Sequence, residues 1–275
     1  MTEEEVQSIE IRLLLEGVFQ VYGYDFRDYA EASLGRRLRR WLVESGFDSF
    51  SQAQARLLRD PEAFQGLLGG ITVNVTEMFR DPSFFCALRE LVVPHLKTYP
   101  FVKIWVAGCA SGEEAYSLAI LLQEEGLGDR CRIYATDIDQ AVLVRAEQGI
   151  YPLRDMQRFT RNYQKGGGTT SFSQYYSAAY DHALLMPALK QRIVFASHNL
   201  AGDADFGEMH MVLCRNVMIY FKTPLKERVL GLFRDCLMPG GFLCLGLKES
   251  LAGQTVAPHF QELAPRLRIY RKRYA

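Results

Sequence analysis

Apolar positions in the first seventy residues recur at three- and four-residue spacing. Val6, Ile9, Leu13, Leu14, Phe19 and Val21 form one stripe, Leu34, Leu38, Trp41, Leu42 and Phe47 a second, and Ala53, Leu57 and Leu58 a third. That period predicts helices, each burying one face. Asp60-Pro61 reads as a stop and a new start, with a short helix over 61–68 ending at Gly69-Gly70. The segment Ile71–Arg80 starts extended. Asp81-Pro82 reads as an N-cap and first helical residue of a helix over about 82–96.

From residue 101 short apolar runs alternate with helical patterns. The predicted strands are Val102–Ala107, Arg132–Thr136, Arg192–Ala196, Met209–Cys214, Phe242–Leu247 and Leu267–Tyr270. The predicted helices are Gly112–Glu125, Gln140–Gln148 and Pro224–Cys236. This grammar predicts an α/β fold with a Rossmann-like, largely parallel sheet covered by helices on both faces. The last strand, beyond Pro258 and Pro265, is expected antiparallel at an edge. Three regions follow: a small all-α N-terminal domain over 1–72, an interdomain linker and helix over 73–100, and an α/β domain over 101–275. Residues of about 151–190 interrupt the alternation with Gly166-Gly167-Gly168 and then Phe172, Tyr175, Tyr176 and Tyr180. A connection of that length reads as an inserted subdomain. Its aromatics form a small private core or a partner surface, and the core is preferred.

The 32 basic and 32 acidic residues cancel, which removes the electrostatic footprint of a nucleic-acid binder. The acidic start lacks a signal peptide's basic flank, and no run approaches about 18 apolar residues, so a soluble, cytoplasmic protein without membrane insertion is expected. Six cysteines form no C-x-x-C pair and read as buried thiols, and the five histidines lack ligand spacing, so no metal is expected.

The strongest local signal for chemistry is Ile104-Trp-Val-Ala-Gly-Cys-Ala-Ser-Gly-Glu-Glu-Ala-Tyr-Ser117, a strand entering a turn with Gly108 and Gly112 before a helix. Ligands of open α/β sheets bind beyond the strand ends. Glu113 and Glu114 sit where a dinucleotide fold would receive pyrophosphate. Two carboxylates repel phosphate and attract a cation, which favours S-adenosylmethionine, a cofactor carrying an ammonium and a sulfonium. The plainer alternative is that both complement the helix dipole, at about 0.3–1 kcal/mol each. Asp137, ending the second strand, is placed to grip ribose hydroxyls, and Asp139 to cap the next helix. The polar pair His198-Asn199 follows the third strand near the adenine edge. Arg215, Asn216 and Tyr220 follow the fourth, near the mouth.

The set Asn74-Val-Thr76, Phe79-Arg80, Ala110-Ser-Gly-Glu-Glu-Ala-Tyr-Ser117, Ala135-Thr-Asp-Ile-Asp139, His198-Asn-Leu200 and Cys214-Arg-Asn-Val-Met-Ile-Tyr-Phe221 resembles the CheR-type chemotaxis receptor methyltransferases. The resemblance implies an S-adenosylmethionine methyltransferase sheet with an inserted small β-subdomain at about 155–190, which in some members docks a receptor tail peptide. It implies methyl transfer to glutamate side chains of chemoreceptors, with S-adenosylhomocysteine as product. Asn74, Thr76 and Arg80 would close over the cofactor. Glu113 or Glu114 would hold its ammonium and Asp137 its ribose. Asn199 and Leu200 would face adenine, Gly108 would shape the turn, and Asn216 and Val217 would complete the pocket. Arg80 and Tyr220 would stand beside the reacting methyl. This chain departs from the family at Ala110-Ser111, at Leu247-Lys248-Glu249, and in its glycine- and tyrosine-rich insert.

A glutamate acceptor is ionised at neutral pH, so no general base is expected; Arg80 would orient it. Arg36, Arg37, Arg39 and Arg40, on one side of a helix, either meet an acidic receptor bundle or form a solvated face. A monomer is expected. Competing readings are methylation of another substrate and a non-catalytic scaffold binding cofactor or receptor.

Overall fold

The computed structural model describes residues 1–274. Four helices open the chain: α1 Glu3–Tyr22, α2 Glu31–Glu44, α3 Phe50–Leu57 and α4 Pro61–Ile71. Helix α1 starts on a capping box, in which Thr2 Oγ1 accepts from Glu5 N–H at 3.3 Å and Glu5 Oε2 accepts from Thr2 N–H at 2.7 Å. Asp60 Oδ1 caps α4 by accepting from Glu62 and Ala63 N–H. That helix runs through Gly69-Gly70 instead of stopping there. Gly70 faces Trp41, whose Cδ1 lies 2.6 Å from where a Cβ would stand, so the glycine serves close packing and not termination. Helix α1 buries Leu14, Leu15 and Val18, while Val6, Ile9, Leu13 and Val21 are exposed. The face that packs against α3 decides this, and the longer apolar stripe does not.

Asp81 has φ 57 and caps nothing with its side chain. The following helix is broken into α5 Pro82–Ala87, a π turn over Leu88–Val92 and α6 Val93–Leu96. Pro94 explains the break: its ring displaces the carbonyl four residues back, and Val93 N–H reaches Leu88 O instead.

Next come β1 Val102–Ala107, α7 Glu113–Glu124, β2 Cys131–Asp137 and α8 Gln140–Gln148. The insert contains β3 Ile150–Pro152, α9 Leu153–Lys165, β4 Tyr176–Ala179, β5 His182–Leu185 and α10 Pro187–Lys190. The chain closes with β6 Ile193–Ser197, β7 Met209–Cys214, α11 Thr223–Cys236, β8 Leu237–Leu245, β9 Phe260–Ala264 and β10 Ile269–Lys272. The main sheet has the order β6-β2-β1-β7-β8-β10-β9, parallel from β6 to β8. Strand β10 is antiparallel, as expected, but lies between β8 and β9. The edge is β9, Phe-Gln-Glu-Leu-Ala, which buries only Phe260 and so carries no apolar run.

In the insert, β3, β5 and β4 form a three-stranded antiparallel sheet beside α9. Its core is shared, not private: Phe159, Tyr163, Phe172 and Tyr175 join the main cluster with Phe79, Phe85 and Leu118. The buried Glu124 carboxylate accepts from the hydroxyls of Tyr163 and Tyr175 and pairs with Arg89, tying the insert to α7. Tyr180, on the β4–β5 turn, is 97% exposed and joins no core. Five cysteines are buried and Cys86 half-buried, all as free thiols. No helix among the described residues is long and apolar enough to cross a membrane, and no group of three His, Cys, Asp or Glu could hold a metal ion.

Candidate active site

Beyond the C-terminal ends of β1, β2 and β7 lies a cavity roofed by the helical domain and residues 71–80. Its floor starts at β1, which ends in a turn with positive φ at Gly108 (75°), Ala110 (46°) and Gly112 (92°). Asp137, ending β2, holds this turn: its Oδ2 accepts from Ala110 N–H at 2.8 Å and its Oδ1 from Asp139 N–H at 3.1 Å. Burial pushes the Asp137 carboxyl above the usual range, against the pull of those donors. A Cβ on Gly108 would lie 2.4 Å from Val217 Cγ2, so only glycine lets the two loops meet.

Neighbours on a helix point about 100° apart, so Glu113 and Glu114 cannot share one surroundings. Glu114 lines the cavity. Glu113 does not. It is 7% exposed, takes the Ser111 hydroxyl at 2.8 Å, and burial pushes its carboxyl up to about 7. Glu114 Oε2 receives Arg215 Nη1 at 2.6 Å. Arg215 also donates to Asp81 Oδ2 at 2.8 Å and to Arg80 O at 3.3 Å, and its guanidinium lies 4.0 Å from the centre of the Phe84 ring. Asp81 is therefore an ion-pair partner, not a cap.

The roof carries Asn74, Thr76 and Arg80. Asn74 Nδ2 and Thr72 Oγ1 both donate to Asp139 Oδ2, at 3.2 and 3.1 Å. The other oxygen of Asp139 caps α8 as expected, accepting from Ala141 N–H at 2.9 Å. Phe79 takes φ 53, held by its N–H on Ser117 Oγ at 2.9 Å. Arg80 is half-buried and makes no ion pair among the described residues; its Nη1 donates only to Val75 O at 3.4 Å.

The helical domain is laced to the catalytic side by Ala30 N–H on Tyr220 O at 2.8 Å and Lys222 N–H on Asp28 O at 2.7 Å. That lacing brings Tyr29 and Arg37 into the cavity wall beside Tyr220. Arg37 is 8% exposed, its guanidinium sits 4.9 Å from the centre of the Tyr220 ring, its Nε donates to Ser33 O at 3.2 Å, and its Nη2 has no partner among the described residues.

Residues 74–265 match the family described as "CheR methyltransferase, SAM binding domain", and residues 9–72 match "CheR methyltransferase, all-alpha domain". The chain belongs to the CheR methyltransferase family. It is 47% identical to the Cher3 protein of Pseudomonas putida over 99% of this chain and 100% of that one. It is 32% identical to a chemotaxis protein methyltransferase of Klebsiella aerogenes, over 91% and 89% of the two chains. To a chemotaxis protein methyltransferase of Listeria innocua it is 30% identical, over 83% and 85%. The CheR assignment makes S-adenosylmethionine the cofactor, and the cavity suits it. Its floor presents carboxylates at Glu114 and Asp137, and the guanidinium beside them, Arg215, is already paired with two carboxylates instead of being free for phosphate. The Asn216 Oδ1 in its wall is buried and unpartnered.

Eleven positions were expected at the cofactor, plus Tyr220 at the methyl. The cavity gathers Asn74, Thr76, Arg80, Gly108, Glu114, Asp137, Leu200, Asn216, Val217 and Tyr220. It leaves out Glu113 and Asn199. The Asn199 amide folds back, its Oδ1 accepting from Ala201 N–H at 3.0 Å and its Nδ2 reaching Gly23 O at 3.5 Å, while His198 takes the place in the wall. Sequence reasoning gave the cavity neither Tyr29, Thr72 nor Arg37. A signal existed for Arg37: with Leu34, Leu38 and Trp41 it falls on the buried face of α2. Arg36, Arg39 and Arg40 remain on the exposed side, so the four arginines do not form one surface.

Proposed function

We propose that this CheR enzyme transfers the methyl group of S-adenosylmethionine to glutamate side chains of chemoreceptors, forming γ-glutamyl methyl esters in chemotaxis adaptation. The observation that carries the reading is Arg37. Burial disfavours its charge, and among the described residues its side chain donates to Ser33 O and faces no carboxylate, so its pKa is lowered. An unpaired buried ion costs on the order of several kcal/mol. The cost is recovered when a carboxylate enters, and a glutamate side chain is a carboxylate ionised at neutral pH. The chemotaxis names of the Klebsiella and Listeria relatives support the same acceptor.

When bound, S-adenosylmethionine supplies an electrophilic methyl on a sulfonium. Glu114 would hold the ammonium with the oxygen that Arg215 leaves free. Asp137 would take ribose hydroxyls with its remaining lone pairs. Arg37 and Arg80 would set the acceptor carboxylate in line, and the Tyr220 ring would keep Arg37 in place. No residue need remove a proton, which fits a site without a nucleophile–base pair. Arg36, Arg39 and Arg40 would meet the acidic receptor bundle from outside. The insert would add contacts, and a monomer suffices.

The test is binding of a receptor-helix peptide to product-loaded protein, comparing glutamate with glutamine at the methylated position. The glutamate peptide is expected to bind at least about tenfold tighter, the value of one charged hydrogen bond. Equal affinity would remove the carboxylate reading.

A further inference from the structure

Leu247 and Lys248, where the sequence departs from its family, lie exposed after β8, but the next residue, Glu249, is 6% exposed. Its carboxylate accepts three backbone N–H groups: Asn216 at 2.9 Å and Gly246 at 2.6 Å on Oε2, and Val217 at 3.0 Å on Oε1. Two of these donors belong to the turn after β7 that closes the cofactor floor. Asn216 stands there with φ 62, a left-handed conformation that asparagine tolerates better than most residues, and its N–H points at the Glu249 carboxylate. Val217, the next residue, abuts Gly108. Gly246 is sterically bound to the same arrangement. A Cβ on it would lie 2.6 Å from Glu249 Oε2 and 2.7 Å from Asn216 N.

The structure assigns Glu249 as a positioning residue that fixes Asn216 and Val217 for the cofactor without touching it. Ion-to-amide hydrogen bonds are directional and stronger than neutral ones, so one carboxylate can set the geometry of two successive residues. The unpartnered Asn216 Oδ1 in the cavity wall is then aimed by Glu249, and the Val217 side chain is pressed against the glycine turn. Gly246 is the partner that leaves the carboxylate room. This inference concerns the cofactor alone and stands whether or not the methyl acceptor is a receptor glutamate.

The test is calorimetric titration of the full chain with S-adenosylhomocysteine, in Glu249→Gln, Gly246→Ala and the double variant. Glu249→Gln turns an amide donor toward backbone donors, and the methyl added by Gly246→Ala pushes the carboxylate off Asn216. Each single variant is expected to weaken binding by about tenfold or more, the equivalent of one charge-assisted hydrogen bond. Because both break one clamp, the double variant is expected to bind no worse than the weaker single. Glu124→Gln is the control: it removes the carboxylate at the end of α7 that holds the insert, lowers the melting temperature, and should leave the affinity within about twofold. A folded Glu249→Gln and Gly246→Ala that bind like the wild type would overturn the assignment. Additive losses in the double variant would do the same. So would failure of both single variants to fold, since Glu249 would then serve the fold and not the cofactor.

Discussion

The floor and the roof of the cavity bear opposite charges and hold them in opposite ways. On the floor, Asp137 and Glu114 are negative and already engaged, Asp137 by two backbone N–H groups and Glu114 by Arg215. On the roof, Arg37 and Arg80 are positive and face no carboxylate among the described residues. A pre-satisfied carboxylate is fixed before its ligand arrives, which suits a cofactor bound in every cycle. A guanidinium that meets backbone carbonyls but no carboxylate gains most from an anionic guest, which suits selection of the acceptor. On the proposed reading the floor serves the cofactor and the roof the acceptor, and each half can be broken separately.

The largest effect is expected on the floor. Asp137→Ala removes the acceptor of two turn-forming N–H groups along with the expected ribose contact. Cofactor affinity should fall about a thousandfold by calorimetry, from the summed value of charged hydrogen bonds. On the roof, Arg37→Ala should lower methyl transfer about a hundredfold, as expected for one desolvated charged contact. Its affinity for S-adenosylhomocysteine should stay near wild type. A parallel loss of cofactor affinity would merge roof and floor into one site.

Glu113 neighbours the floor without belonging to it. Burial raises its carboxyl from an ordinary 4.5 to about 7. Between those pH values the folded protein binds more protons than the unfolded chain, so this residue's contribution to stability falls as pH rises. Glu113→Gln should therefore be more stable than wild type by roughly 2 kcal/mol at about pH 8, with the gap closing near pH 5. Denaturant unfolding at both pH values checks this. The smallest effect belongs to the interdomain latch. Thr72→Val deletes one donor to Asp139 and should cost about 1 kcal/mol in the same assay.

The floor was legible in sequence because backbone demands write themselves into residue types. A glycine turn between a strand and a helix, then an acid at the next strand end, pointed to Gly108, to the pair Glu113 and Glu114 without choosing between them, and to Asp137. What could not be read depends on how separate elements meet. Glu113 and Glu114 are alike in sequence, and only the helix angle sends one into the cavity. Arg37 looked like one of four surface arginines until α2 packed against Tyr220. Asp81 has a cap's position, yet the approach of Arg215, distant in sequence, gave it an ion pair. Strand β9 left no apolar trace because an edge strand needs only one buried side.

The most direct test is methyl transfer from labelled S-adenosylmethionine to a purified receptor cytoplasmic fragment, with each modified residue located by tandem mass spectrometry. Methyl is expected on glutamate side-chain oxygen, released by mild base, with none on lysine or cysteine. Label on nitrogen or sulfur, or no label from cofactor-saturated protein, would contradict it.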